Sequence, residues 1–308
     1  MSGVVDRASM APLLEPTLRK AFFLEYNIGG EQYSQYWDVQ DSFKSKETIV
    51  ETVMPSRVPQ IGEGGMYARA ELKMGRSQTF VHATYKLEIV MTEEVAEDNL
   101  YKAAMDTQKA LAITAKRTVE VIAATTFSNG LLSKIGTDSV PIFSPAHPVM
   151  YPQGTNPSTW GNVLAAAPFS SHNVKRLKVL MKKQRDENGD LAPHEMDQLL
   201  VGPDLGEEAM EMYDADGTYD RADRAPNQAK KGLVKPMVVD HFADASHPWA
   251  ATAYFGRDKR MAKNIFFWRV KPEYKFIHEE STGNLIQRVR FRFSLDFVNP
   301  RGLTAAYS

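Results

Sequence analysis

The sequence predicts an α+β protein in which strands flank one long helix. Three observations carry that prediction. Between Gly75 and Gly130 there is neither glycine nor proline, and Leu100, Ala104, Leu111, Ala115, Val119 and Ile122 recur there at helical spacing. Near the end of the sequence, Val289, Phe291, Phe293, Leu295 and Phe297 alternate with Arg290, Arg292, Ser294 and Asp296, the mark of a strand with one apolar and one charged face. Between them in kind is the stretch from Glu47 to Met91, where ETIVETVM and FVHATYKLEIVM bracket a tip rich in glycine and proline.

Taken in order, the first forty-odd residues alternate apolar and polar clusters without a sustained helical period, and are expected to form an arm. FFLEY and SQYWDVQD carry enough aromatic surface that the arm should lie against something. The two strands from Glu47 make a long hairpin with little core of its own, and a two-stranded hairpin is marginal in water. Gly62, Gly64 and Gly65 at its tip point to positive φ or to close approach by a neighbour. Thr92 can cap the long helix, and Glu93 and Glu94 suit its first turn. The helix should reach about Phe127, on the order of 50 Å.

Beyond Gly130 come loops, then a basic helix over Asn173–Arg185 that stops at ENGD. LLVGPDLGEEAMEMY reads as a buried strand entering a helix, with Asp204 and Glu207 at capping-box spacing. GLVKPMVVDHF and HPWAATAYFGR read as further strands. The closing stretch should be a hairpin turning near Ser281–Asn284, its outer face lined by Arg288, Arg290 and Arg292.

The totals exclude several classes. With 308 residues, 43% hydrophobic and 24% charged, the chain can bury a sizeable core. A formal net charge of −1 does not fit a dedicated nucleic-acid binder. Absence of cysteine removes disulfides, thiolate metal sites and cysteine nucleophiles. MSGVVDRASMAPLLEP lacks the basic start and apolar run of a secretory signal, and no apolar stretch approaches the roughly 18–20 residues of a membrane helix. Synthesis in the cytoplasm is expected.

Catalytic patterns are missing. The seven histidines are scattered, and His194-Glu195-Met196-Asp197-Gln198 has glutamine where a zinc-protease helix needs its second imidazole. IGEGGMYARAEL puts Tyr67 in place of the last glycine of a dinucleotide loop. There is no G-x-S-x-G elbow. Asp186-Glu187-Asn188-Gly189-Asp190 has its glycine two positions early for a calcium loop, so a turn is the better reading. Neither cofactor nor metal is expected.

The order of parts resembles the major capsid proteins of tailed bacteriophages, with the Hong-Kong-97-type fold. The resemblance implies an N-terminal arm at 1–45, an E-loop hairpin at 46–90 and a spine helix at 91–133. An A-domain would occupy 134–270, and strands returning to the P-domain 271–308. IFSPAHP, KKQRDENGD leading to LLVGPDLGEEA, HPWAATAY and DFVNPRGL resemble segments of the Mu-like head-subunit branch. The resemblance further implies hexamers and pentamers of this chain closing an icosahedral shell around double-stranded DNA. A separate scaffolding protein, a portal and a decoration protein would be partners, and the location the virion capsid. Gly62, Gly64, Gly65, Arg288, Arg290 and Arg292 are then the candidate assembly residues. An encapsulin-like nanocompartment shell protein and an α+β enzyme with an unfamiliar site are the alternatives.

Overall fold

The structure, a computed structural model, describes the backbone of residues 7–214, 234–279 and 281–308, and their side chains apart from 7–15, 93–101 and 103. In chain order the elements are α1 (Arg7–Asn27), α2 (Tyr33–Tyr36), β1 (Asp38–Asp41), β2 (Lys46–Val53), β3 (Lys73–Val81), β4 (Ala83–Met91) and α3 (Glu93–Ser128). Then follow β5 (His147–Pro148), β6 (Thr159–Trp160), β7 (Val163–Leu164), α4 (Ser171–Lys182), β8 (Gln198–Val201) and α5 (Gly206–Asp214). The chain closes with β9 (Pro236–Val238), β10 (Tyr254–Arg257), β11 (Asn264–His278), β12 (Leu285–Phe297) and β13 (Leu303–Ala306).

Two compact units result. The first comprises the chain up to Glu47 together with Phe80–Ile122 and Phe266–Leu295. Its sheet has the order β1-β11-β12-β4. β12 runs antiparallel to β4, with Val289 opposite Leu87, Phe291 opposite Tyr85 and Phe293 opposite Ala83. The expected alternation is observed from Val289 to Phe293, with Val289, Phe291 and Phe293 buried. It breaks at the next pair, where Ser294 is buried on His82 and Leu295 is only half-buried. Tyr85 stacks on Phe291 and Phe293 at 5.4 and 4.9 Å, and Phe293 stacks on Phe266 at 5.0 Å. The same inward row meets α3, where the buried Gln287 donates from Nε2 to the Ala104 carbonyl at 3.0 Å.

The N-terminal stretch departs from the expected arm without helical period, because Arg7–Asn27 is helical. Leu18, Phe22 and Tyr26, each four residues apart, are buried, and Phe22 stacks on Tyr274 at 5.2 Å. Pro12 and Pro16 break the local propensity, so tertiary burial of that narrow stripe outweighs it. Glu120 of α3 accepts from the backbone amides of Gln32 and Tyr33 at 2.8 and 3.0 Å, which fixes where the chain leaves α1.

The second unit comprises Thr48–Thr79, Ala123–Ile265 and Asp296–Ser308. Its central sheet has the order β7-β13-β10-β8-β9. β10 is antiparallel to both β13 and β8, whereas β13–β7 and β8–β9 are parallel. α4 and α5 cover one face, and Val174, Leu177, Met181, Ala209 and Met212 enter a common core with Leu199, Val201 and Tyr254. Phe127, Phe143, Phe242, Phe255 and Phe297 form a second, aromatic cluster.

Several local expectations shift. α4 begins at Ser171 because Ser170 caps it, its side chain accepting from the Asn173 amide. The capping box is absent: Asp204 lies within a 3₁₀ turn, Pro203–Leu205, and α5 starts at Gly206. The strands read in GLVKPMVVDHF and HPWAATAYFGR shorten to β9 and β10: a 3₁₀ turn, Asp240–Asp244, takes the end of the first and turns take 248–252 of the second, while Gly232 and Leu233 lie outside the described residues.

Candidate functional site

The hairpin is formed by β2 with β3 and not, as expected, by ETIVETVM with FVHATYKLEIVM, because residues 83–91 of the latter are β4 and pair with β12. The hairpin so formed has almost no core. Its lower part is fastened to the second unit's own chain by charged and polar contacts. Glu187, only 5% exposed, accepts from Arg301 at 2.7 Å and from Arg76 at 3.4 Å. Arg76 also donates to the Pro148 carbonyl at 2.8 Å. Asn188 donates to the Met54 carbonyl, Arg57 pairs with Asp190 at 3.0 Å, Ser56 bonds the same carboxylate, and Lys73 lies over the Tyr151 ring. Hydrogen bonds from Ser56 and Asn156, with the Arg57 charge, hold the Asp190 carboxyl below its ordinary pKa. What the hairpin rests on is thus partly its own chain.

The turn that supplies these acids is itself well defined. Asp186 accepts from the amides of Asn188 and Asp190, and Gly189 takes a φ of +81°. That carboxylate is committed to a backbone turn, so the calcium reading fails on geometry.

Above this anchorage, between Met54 and Met74, the loop offers a run of apolar side chains to solvent. Val58 and Tyr67 are each 96% exposed, Met66 90%, and Met54, Leu72 and Met74 about three-quarters. Concentrations of exposed apolar surface mark contact sites. The three glycines differ in their reasons. Gly64 has a φ of +77° and open space around it. A Cβ on Gly65 would fall 2.3 Å from Ile61 Cγ2, while one on Gly62 would meet nothing. The local turn, closed by the Gly65 amide on the Gly62 carbonyl, therefore accounts for two of the three.

The arginine row does face outward on the first unit's sheet. Pairing register sets Arg288 opposite Glu88 and Arg290 opposite Lys86. Arg288 Nε lies 3.9 Å from Glu88, both half-exposed. Arg290 is exposed and confronts a like charge, an arrangement that destabilises a strand pair. Arg292, half-buried, is near His82, whose pKa is lowered by burial first and by the Arg292 charge second. Sequence reasoning grouped these three residues with the three glycines, but the row and the tip lie in different units.

Three buried histidines serve the fold. His82 bridges Ser42 and Ser294 at 3.1 and 2.9 Å. His147 joins Asp138 at 2.6 Å and Asn162 at 3.1 Å in a buried knot formed by the IFSPAHP segment. His247 meets Ser128 at 2.7 Å. Among the described residues no cluster of histidine and carboxylate side chains has the arrangement to hold a metal ion, and no helix is long and apolar enough to cross a membrane. The residues missed by sequence reasoning are Glu187 and Arg76; only pairing across 111 positions makes them partners.

An exposed apolar loop on an anchored hairpin is the kind of surface that lattice-building proteins present to their neighbours. The family comparison gives the particular case: the phage capsid protein family matches residues 76–306, and the chain belongs to that family. It is a structural major capsid protein, not an enzyme. Solved structures agree on the fold. A chain from Microbacterium phage Oxtober96 is similar at a TM-score of 0.57, 12% identity and 91% coverage of each chain. A chain from the native GTA particle capsid gives 0.56, 12%, and coverage of 89% of this chain and 88% of that one. A chain from the procapsid of bacteriophage JBD30 gives 0.53, 14%, 99% and 76%. The expected Hong-Kong-97-type capsid fold is therefore observed. No curated protein matches the sequence.

Proposed function

We propose that this chain is the repeating subunit of a tailed-phage head, forming the hexamers and pentamers of an icosahedral shell around double-stranded DNA in the virion. The observation that carries this reading is the exposed apolar run from Met54 to Met74 on an anchored hairpin, in a chain of the capsid family. At about 25 cal/mol per Å² of apolar area, many such modest overlaps stabilise a lattice while each remains reversible. In this reading residues 1–45 are the arm, 46–90 the E-loop, 91–133 the spine, 134–270 the A-domain and 271–308 the returning strands. The resemblance of segments such as IFSPAHP and DFVNPRGL to the Mu-like branch supports a position near it. Scaffolding, portal and decoration proteins would be supplied by other chains, with synthesis in the host cytoplasm.

The tip glycines and the arginine row are assigned to subunit contacts, with Arg290 foremost because Lys86 opposes it on its own sheet. Electron microscopy of the expressed chain tests the reading: shells, tubes or capsomer rings are expected, and a lasting monomer at high concentration would overturn it. Arg290→Glu sharpens the test, since the new carboxylate would pair with Lys86 at home. Unchanged or slightly raised thermal stability with impaired assembly is expected; intact shells would remove Arg290 from the interface.

A further inference from the structure

The two helices on the five-stranded sheet carry opposite charge. Along α4 and its C-cap Lys183, the side chains of His172, Lys175, Arg176, Val179, Lys182 and Lys183 are exposed in one stripe, opposite the buried Val174, Leu177 and Met181. The helix contains no acidic residue. Leu164, Val179 and Leu180 give this stripe a shallow apolar floor. α5 reads GEEAMEMYD and contains no basic residue. Its Glu207 and Glu211 are exposed one turn apart, Glu208 is half-buried beside them, and Met210 flanks the row. Among the described residues none of these three glutamates forms an ion pair within the chain, and neither do Lys175, Lys182 and Lys183.

Sheet order sets the two stripes apart. α4 packs on β7, β13 and β10, and α5 on β9, while β7 and β9 are the opposite edges of the sheet. Four strand spacings, about 19 Å, separate those edges. Both helices share one core and hence one face of the sheet. A subunit with a basic flank and an acidic flank on the same layer is suited to a head-to-tail contact. In such a contact one side of a copy meets the other side of the next, and rotation closes a ring.

We infer that the basic stripe of α4 docks the acidic stripe of α5 of a second copy of this chain, making the side-to-side contact within a capsomer. The inference rests on the shell reading and specifies a contact that reading leaves open. Charge complementarity of this kind fixes register and partner and steers encounter. A polyanion is the competing occupant of α4; the apolar floor and the matching acidic helix favour a second copy.

Charge reversal in the full chain tests it. Lys175→Glu with Arg176→Glu, and separately Glu207→Lys with Glu211→Lys, should each lower the assembled fraction at least tenfold in sedimentation velocity at low salt. The fourfold reversal should return it to within about twofold of the unmodified chain. Circular dichroism checks the fold, and Lys175→Gln with Arg176→Gln replaces the first pair if it unfolds, with the same loss expected. Reversal pairs that assemble normally, or a fourfold variant that does not recover, overturn the contact while shells of the unmodified chain keep the broader reading. Binding of a short DNA duplex that disappears on α4 reversal, with assembly intact, makes the stripe a polyanion surface and also overturns it. An unmodified chain that never assembles overturns both.

Discussion

The β11–β12 hairpin and the β2–β3 hairpin start from the same alternating pattern and bury very different amounts. In β12 the inward row of Gln287, Val289, Phe291 and Phe293 is buried beneath stacked aromatic rings. In β2 no residue before Glu51 is buried, and the loop beyond it holds Val58, Met66 and Tyr67 in solvent. Apolar side chains are present in both; what differs is whether the chain supplies their cover. In the proposed shell the two have different roles: the first would stabilise the subunit itself, and the second would keep contact surface for a neighbour.

The largest separation of these two roles comes from truncating one apolar side chain in each. Phe293→Ala removes a ring that touches Tyr85, Phe266 and Trp268, and should cost about 3–5 kcal/mol in chemical denaturation. Tyr67→Ser removes a side chain that is 96% exposed, and should move monomer stability by no more than about 0.5 kcal/mol while lowering the assembled fraction. Equal stability losses would erase the distinction.

Next is the anchorage of the exposed hairpin. Glu187→Ala leaves Arg76 and Arg301, each mostly buried, without their shared carboxylate, at about 3 kcal/mol. Arg76 keeps the Pro148 carbonyl and Arg301 keeps the Arg185 carbonyl, so the loss should be local to the hairpin. Limited proteolysis between residues 54 and 75 should accelerate more than global unfolding does.

A smaller effect separates the sheet by pH. Burial lowers the pKa of His82, His194 and His247 below the ordinary 6.5. The unfolded chain then binds more protons than the folded one, so this contribution is complete above about pH 6.5 and is lost as pH falls below it. The melting temperature should decline on acidification through that window. His82→Gln, whose amide can bond both Ser42 and Ser294, should flatten the slope in part; an unchanged slope would assign it to His194 and His247.

How much of this is legible in the sequence depends on how local each cause is. α3 shows itself because Ala104, Leu111, Ala115 and Val119 repeat within one uninterrupted segment, and all four are buried as that spacing requires. The β11–β12 hairpin is equally local, with Gly283 at a φ of +71° in its turn. α1 is not legible, since Pro12 and Pro16 argue against a helix that burial of Phe22 and Tyr26 sustains. The five-stranded sheet is not legible either. β13 and β10 are four residues each, and their pairing of Phe255 with Ala305 joins distant segments. At the candidate site the exposed loop can be read from its composition. The Arg288–Glu88 pairing cannot, because it needs the strand register.

The smallest effect on stability, and the most selective, concerns the tip. At Gly64 the φ of +77° excludes a β-branched residue without strain, yet nothing lies within 4 Å of where a Cβ would stand. Val at this position costs roughly 1–2 kcal/mol if the turn is kept. A loop this exposed can relax instead, so the melting temperature of the monomer should barely move. Assembly should fall, because the altered turn redirects Met66 and Tyr67. Asn tolerates the left-handed region and has a side chain of similar bulk. Gly64→Asn should therefore assemble nearly as well as the unmodified chain while Gly64→Val does not. If both fail equally, the neighbour needs the empty space at Gly64 and not the turn. If both assemble, the tip lies outside the contact and the exposed hairpin works through its flanks, Met54 to Val58 and Leu72 to Met74.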